Sequence, residues 1–259
     1  MTGAATGWDY LVVTASNDMQ AAVYEHQLRK RQELGFLANV THVMVLADPQ
    51  GQRVGSGGST VWALTRILDQ ERTRDPWNGR DAHEAWEAIF QRLRILIVHA
   101  GGDSRRLPAY GPCGKIFIPV PGDTDTIFGS TLFDRQLPEY LALPPPLRGQ
   151  GQVVITCGDV LVGCAQPGLR LDSPGITALG CYATPESASG HGLFCVDGEN
   201  RVRLFLQKAA PEEQIEKGAV DRYNRAILDM GVMSFDAKTA VALLTLCNVE
   251  PDGKHGPCW

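Results

Sequence analysis

Short apolar runs alternate along the chain with longer stretches in which apolar residues recur every three or four positions, the pattern of strands interleaved with amphipathic helices. Residues 10–13 read as a strand, and Ser16 or Asn17 can cap a helix that runs to about Leu34 and ends at Gly35. A second strand, 43–46, leads into the glycine-rich loop RVGSGGST at 53–60, after which Val61, Leu64, Ile67 and Leu68 mark the apolar face of a helix. Residues 73–79 form a polar loop and 82–93 a helix. The uninterrupted apolar run 95–98 is a strand buried on both faces of a parallel sheet. Residues 116–120 are short and extended, 132–141 helical, and 144–151 a proline and glycine linker. Residues 153–156 are a further buried strand, running into Cys157-Gly-Asp-Val160.

The pattern then changes. Residues 176–183, 192–196 and 202–207 suggest a more antiparallel region with a turn at Asp197-Gly198, followed by a last strand at 227–235 and a last helix at 237–246. The predicted fold is α/β: a mainly parallel, Rossmann-like sheet with helices on both faces and a smaller antiparallel region. We read 1–259 as one domain without internal repeats. Residues 248–259 (NVEPDGKHGPCW) show no closing element, so the domain is expected to be truncated at its C-terminus.

Composition narrows the function. With 44% hydrophobic and 20% charged residues the chain is that of a soluble globular protein, and its net charge of −5 argues against a general nucleic-acid binder. No apolar run approaches the roughly 18 to 20 residues of a membrane span, and MTGAATGWDY lacks a signal-peptide pattern, so a cytoplasmic location without membrane partners is expected. Seven cysteines without a CxxC pair indicate neither a disulfide framework nor a zinc site. Cys113 is either a bystander beside the loop or a thiol whose pKa neighbouring positive charge would lower.

Candidate chemistry centres on ILIVHAGGDSRRLP (95–108) and Gly114-Lys115. Gly101 and Gly102 let the backbone approach a ligand closely, and Arg105, Arg106 and Lys115 follow, a combination of bare amides and cations suited to a polyphosphate. Loop amides and Arg106 would hold the β and γ phosphates while Lys115 faces the α phosphate. Gly55, Gly57, Gly58, Ser59 and Thr60 form a second glycine-rich segment opening a helix. It reads as a tight helix cap or as an anion-binding terminus, and it has no Walker A ending. Asp159, just past a buried strand, is either a turn aspartate or a ligand for Mg²⁺. Lys208 is a solvated lysine or a contact for a second anionic substrate. His191 and Asp229 are weaker candidates; no GxSxG elbow is present, and His83-Glu84 lacks the second histidine of a zincin.

WDYLVVTAS, RVGSGGST, ILIVHAGGDSRRLPAYGPCGKIF and VVITCGDV, in this order, closely resemble the N-terminal half of bifunctional L-fucokinase/fucose-1-phosphate guanylyltransferases. The wider sugar-nucleotide pyrophosphorylases carry GGxGTRL…PK. Here Ser104 and Arg105 replace the Gly-Thr and Gly114 the proline, while Arg106 and Lys115 match. The resemblance implies a nucleotidyltransferase-type fold and guanylyl transfer from GTP to β-L-fucose 1-phosphate, giving GDP-L-fucose and pyrophosphate. It makes Arg106 and Lys115 catalytic, places Gly101 and Gly102 on the nucleotide, and gives Asp159 a Mg²⁺ cofactor. Gly55 to Thr60 would contribute to the nucleotide or sugar pocket, and Lys208, within a QK matching the family's EK, would meet the sugar phosphate. Full members continue into a β-helical region and a GHMP-type kinase domain, and this sequence contains neither. Another sugar 1-phosphate or nucleotide, or a non-catalytic nucleotide-binding domain, are the alternative readings.

Overall fold

The computed structural model describes residues 7–74, 76, 81–102, 114–121, 131–163 and 168–250. In chain order its elements are β1 (Trp8–Ala15), α1 (Asp18–Glu33), β2 (Val40–Ala47), α2 (Gly55–Arg74), α3 (Ala82–Arg92), β3 (Arg94–His99), α4 (Leu132–Leu141) and β4 (Gln152–Cys157). There follow β5 (Ile176–Ala183), α5 (Pro185–Ala188), β6 (Gly192–Val196), β7 (Val202–Gln207), α6 (Pro211–Glu216), β8 (Ala226–Phe235) and α7 (Ala237–Leu246). They form two compact units, Ala178–Val232 and the remainder.

In the larger unit the strands lie in the order β2-β1-β3-β4, and every pairing among them is parallel. Tyr10 is level with His42 on one side and Ile95 on the other, and Ile95 is level with Val153. Side chains alternate across a strand, so Tyr10, Val12, Ile95, Ile97 and Val153 share one face. They pack with Leu64 and Ile67 of α2, Trp86 and Phe90 of α3, and Ala240 and Leu244 of α7. The intervening Leu11, Val13, Leu96, Val98 and Val154 are as fully buried, which requires cover on the other face too, and α1 packs on β1 and β2. Burial of both faces explains why these strands read as continuous apolar runs.

Buried charge ties the layers together. The Glu71 carboxylate accepts from the Tyr10 hydroxyl (2.6 Å), Arg74 (2.9 Å) and Arg92 (2.7 Å), joining β1, α2 and α3. Arg31, only 1% exposed, donates to Asp134 (2.7 Å) and Thr131 (3.2 Å) and lies 4.8 Å from the centre of the Phe117 ring, joining α1 to α4 and to the turn after Gly114. A buried pair of this kind is costly to break, because the partner left behind is an uncompensated charge.

The structure corrects the sequence reading in several places. GSGGST is not a loop but the opening of α2. Two hydroxyls hold it helical despite the low helix propensity of glycine: Ser59 Oγ donates to Asp48 (2.8 Å), and Thr60 Oγ1 to the Ser56 carbonyl (2.9 Å). α2 also continues to Arg74, past the expected loop start at 73. Lys115–Phe117 forms a 3₁₀ turn, and the extended stretch expected at 116–120 reduces to a bridge between Pro119 and Thr131. The short helices α5 and α6 were not predicted; each opens on a proline, the residue that also punctuates loops.

The smaller unit is antiparallel where β6 pairs with β7 and β8, and β5 also pairs with β8. Its core gathers Ala188, Leu193, Cys195, Leu206, Ala209, Ala219 and Ala226. Two of its loops share the pattern Asp-x-x-Asn-Arg, at 197–201 and 221–225. In each, the aspartate carboxylate accepts backbone N–H groups two and four residues on, at 2.8 to 3.0 Å. In each, the asparagine takes a left-handed conformation, φ 60° at Asn200 and 56° at Asn224.

Candidate active site

The parallel register brings the carboxyl ends of β1, β3 and β4 to one edge of the larger unit, where ligands lie in open α/β sheets. A cavity of about 280 Å³ opens there. Its wall takes Thr14 and Ser16 from the end of β1, His99, Gly101 and Gly102 from the end of β3, and Cys157 and Asp159 from the end of β4. Asp48 and Arg53, which follow β2, together with Gly55, Ser56 and Ser59 at the start of α2 and Lys115, complete it.

Three glycines set this wall by what they leave out. A Cβ on Gly101 would press on Ser16, 3.4 Å from its backbone N and its Oγ. Gly102, at φ 122°, donates its N–H to Ser16 Oγ and lies beneath the Lys115 side chain. Ser16 is held in turn by its N–H bond to Gln20 Oε1 (2.8 Å). Gly114, at φ 70°, sits on the ring of Tyr24, so that any Cβ would overlap the phenol. The Tyr24 hydroxyl is fixed to the Ala100 carbonyl (3.0 Å), and burial raises its pKa, so it stays a neutral donor. Lys115 is thereby launched from a turn packed on Tyr24 of α1.

The ammonium of Lys115 lies 2.8 Å from Asp159 Oδ2. Asp159 follows Gly158, whose N–H donates to the His99 carbonyl (2.8 Å). At the other side of the wall, burial raises the pKa of Asp48, although its bond from Ser59, the charge of Arg53 and the Val54 amide pull the other way. His99 Nε2 lies 3.0 Å from Thr60 Oγ1, and burial pushes the imidazole down to about 4, so it is neutral at pH 7. The opening turn of α2 adds free N–H groups and the positive end of a helix dipole, which together favour an anion. The cavity therefore offers amides and cations for phosphate and two carboxylates for a cation.

Of the residues singled out from the sequence, Gly55, Ser59, Gly101, Gly102, Lys115 and Asp159 meet at this wall. Thr60 supports it through His99. Gly57 and Gly58 lie in the opening turns of α2, where a Cβ on Gly57 would meet open space. Lys208 belongs to the smaller unit, with φ 54° and its N–H on the His191 carbonyl (2.9 Å). Arg105, Arg106 and Cys113 lie outside the described residues.

With this geometry in view, the family model for the fucose pyrophosphorylase domain matches residues 87–255. The chain belongs to the fucose pyrophosphorylase domain family. It is 29% identical to a bifunctional fucokinase/GDP-fucose pyrophosphorylase of Arabidopsis thaliana, over 94% of this chain and 25% of that protein. It is 27% identical to an L-fucokinase/L-fucose-1-P guanylyltransferase of Bacteroides fragilis, over 82% of this chain and 22% of that protein. With the fucose-1-phosphate guanylyltransferase of Homo sapiens it shares 29% identity, over 83% of this chain and 34% of that protein. The chain thus spans between about a fifth and about a third of the length of these relatives. The family match covers β3, Lys115 and Asp159, whereas Asp48 and the α2 terminus precede it.

Thr14, Ser16, Asp48, His99 and Cys157 were missed as wall residues. Asp48 and His99 close predicted strands just as Asp159 does, so the rule that selected Asp159 would have selected them. Which strand ends are neighbours was not written in any one segment.

Proposed function

We propose that the chain is the nucleotidyl-transfer part of a fucose-1-phosphate guanylyltransferase with a Rossmann-like nucleotidyltransferase fold, acting in the cytoplasm as one domain. The observation that carries this reading is the convergence of Gly55, Ser59, Gly101, Gly102, Lys115 and Asp159 on one cavity in a member of the fucose pyrophosphorylase family. A phosphate oxygen of fucose 1-phosphate would attack the α phosphorus of GTP. The new P–O bond forms as the bond to the β phosphate breaks, and pyrophosphate leaves. No covalent enzyme intermediate is needed, so catalysis rests on position and charge.

Lys115 would neutralise the α phosphate, where charge shifts most in the transition state. The α2 terminus and the Gly101-Gly102 backbone would line the triphosphate, with Arg106 assigned to its outer phosphates and Lys208 to the sugar phosphate by their sequence matches. A Mg²⁺ ion suits the donor set: the Asp159 side chain is half exposed, and carboxylate and serine oxygens are hard ligands. Among the described residues no three His, Cys, Asp or Glu side chains gather as a metal site, so such an ion would take most of its ligands from phosphate and water. When bound, it would offset phosphate charge, and Lys115 would exchange part of its contact with Asp159 for the substrate. The fused fucokinase in the names of two relatives would supply fucose 1-phosphate to such a site.

The test is direct. Incubation with GTP, fucose 1-phosphate and Mg²⁺ should yield equal amounts of GDP-fucose and pyrophosphate. Absence of both products, in this chain and in one extended to the length of its relatives, would reject the assignment.

A further inference from the structure

His99 stands apart from the rest of the cavity wall. Its neighbours are there to meet charge: Lys115 and Arg53 are cations, Asp48 and Asp159 carboxylates, and the opening turn of α2 presents backbone N–H groups. A histidine in such a setting is commonly read as one more cation for phosphate. Its surroundings argue otherwise. His99 borders the cavity at the end of β3, and the one partner of its ring among the described residues is Thr60, through Nε2 at 3.0 Å.

That contact selects a tautomer. The Thr60 hydroxyl has a single proton, and it is directed to the Ser56 carbonyl one helical turn back, at 2.9 Å. Thr60 Oγ1 is then left as an acceptor, so the ring must donate to it through Nε2–H. The proton resides on Nε2, and Nδ1 keeps its lone pair. Burial, which holds the imidazole neutral at pH 7, preserves that lone pair instead of adding a second N–H.

We propose that His99 is a specificity-determining residue that presents Nδ1 to the cavity as an acceptor for a hydroxyl group of the bound substrate, not as a cation for its phosphates. The proposal rests on the reading that the cavity takes a nucleotide and a sugar phosphate, and it names a contact within it. It also explains the Thr60 bond, which would have no bearing on recognition if the ring served only as charge. One oxygen of each carboxylate in the wall is already engaged, Asp48 Oδ1 by Ser59 and Asp159 Oδ2 by Lys115. The hydroxyl could belong to the ribose or to the hexose, and the experiment separates them.

Two substitutions divide the ring into its halves. H99Q keeps an N–H where Nε2 stands and so retains the Thr60 bond, but removes the acceptor at Nδ1. H99N keeps a polar group at the Nδ1 position and loses the Thr60 bond. With GTP and fucose 1-phosphate, H99Q should lose about tenfold in kcat/KM, the scale of one neutral hydrogen bond, and H99N less. The loss in H99Q should vanish for the one analogue that lacks the hydroxyl concerned. 2′-Deoxy-GTP and 3′-deoxy-GTP test the ribose, and the 2-, 3- and 4-deoxy analogues of fucose 1-phosphate test the hexose. H99Q as active as the unaltered chain, or a loss equal across all analogues, would overturn the proposal and leave His99 as support for α2 alone.

A measurement without substrate stands beside this. ¹⁵N chemical shifts should report His99 as the neutral Nε2–H tautomer at pH 7, and a protonated ring or the Nδ1–H tautomer would equally overturn the proposal. If the chain binds GTP by calorimetry yet yields no product, the transferase assignment fails while the His99 contact is still read from affinities. Weaker GTP or fucose 1-phosphate binding by H99Q than by H99N sustains it. No binding of either compound overturns both.

Discussion

The two units reach order by different routes. In the larger one, residues that shape the cavity are fixed by others far away in the chain: Gly114 by Tyr24, Gly102 by Ser16, His99 by Thr60. In the smaller one, the repeated Asp-x-x-Asn-Arg loops close on themselves within five residues. The lesson concerns vulnerability. A local turn tolerates change around it, whereas a site assembled from distant contacts can be lost through a residue that touches no substrate.

The sharpest way to test that contrast is to remove the charge and leave the frame. K115A should lower kcat by about 10²- to 10³-fold, measured as pyrophosphate release, while its melting temperature stays close to that of the unaltered chain. A similar loss of stability would mean that Lys115 is a strut and not a reactant.

Next in size is a methyl group placed in the frame itself. G114A forces a Cβ onto Tyr24 and a strained φ, and urea unfolding should show a cost of about 2 kcal/mol. G198A, in a loop of the smaller unit where a Cβ meets open space, should change stability by no more than about 0.5 kcal/mol. Equal costs would erase the distinction between the units.

Smaller effects should appear with pH. His99 has a folded pKa near 4, below its usual 6.5. Its contribution to stability is complete above about 6.5 and is lost as pH falls towards 4, because the unfolded chain takes up the proton first. The fall in melting temperature between pH 7 and pH 4.5 should therefore be shallower in H99Q. His42, shifted in the same direction, is present in both proteins and cancels.

Asp48 has the opposite sign. Burial raises its pKa, so its ionised form weakens the fold as pH rises through that value. D48N should raise the melting temperature slightly at pH 7 and leave it unchanged at low pH. A lower melting temperature at pH 7 would mean that the Ser59 bond outweighs desolvation.

Much of the larger unit was legible because its strands are buried on both faces and helices such as α3 and α4 are amphipathic. The runs at 10–13, 95–98 and 153–156 lie within β1, β3 and β4, and the asparagine cap at 17 accepts from Gln20 as its side chain suggests. GSGGST misled because helix propensity argues against it, and two of the bonds that hold it come from outside the segment, from Asp48 and His99. The turn at 115–117 misled for a related reason. Ile116 and Phe117 are apolar enough for a strand, but Phe117 is turned in against Tyr24, Phe133 and Arg31. The candidate site was legible as separate motifs. Their convergence depended on strand order, which no single segment encodes.

One contact has a consequence for how such sequences can drift. Lys115 and Asp159 are flanked by Ile116 and Gly158, and a Cβ on Gly158 would run into the Ile116 side chain and the His99 carbonyl. Enlarging position 158 therefore requires trimming position 116, and either step alone shifts one member of the ion pair. Substitutions at these two positions should be inherited together, so that I116A, which removes the obstructing methyl but leaves a buried cavity when made alone, repairs part of what G158A damages.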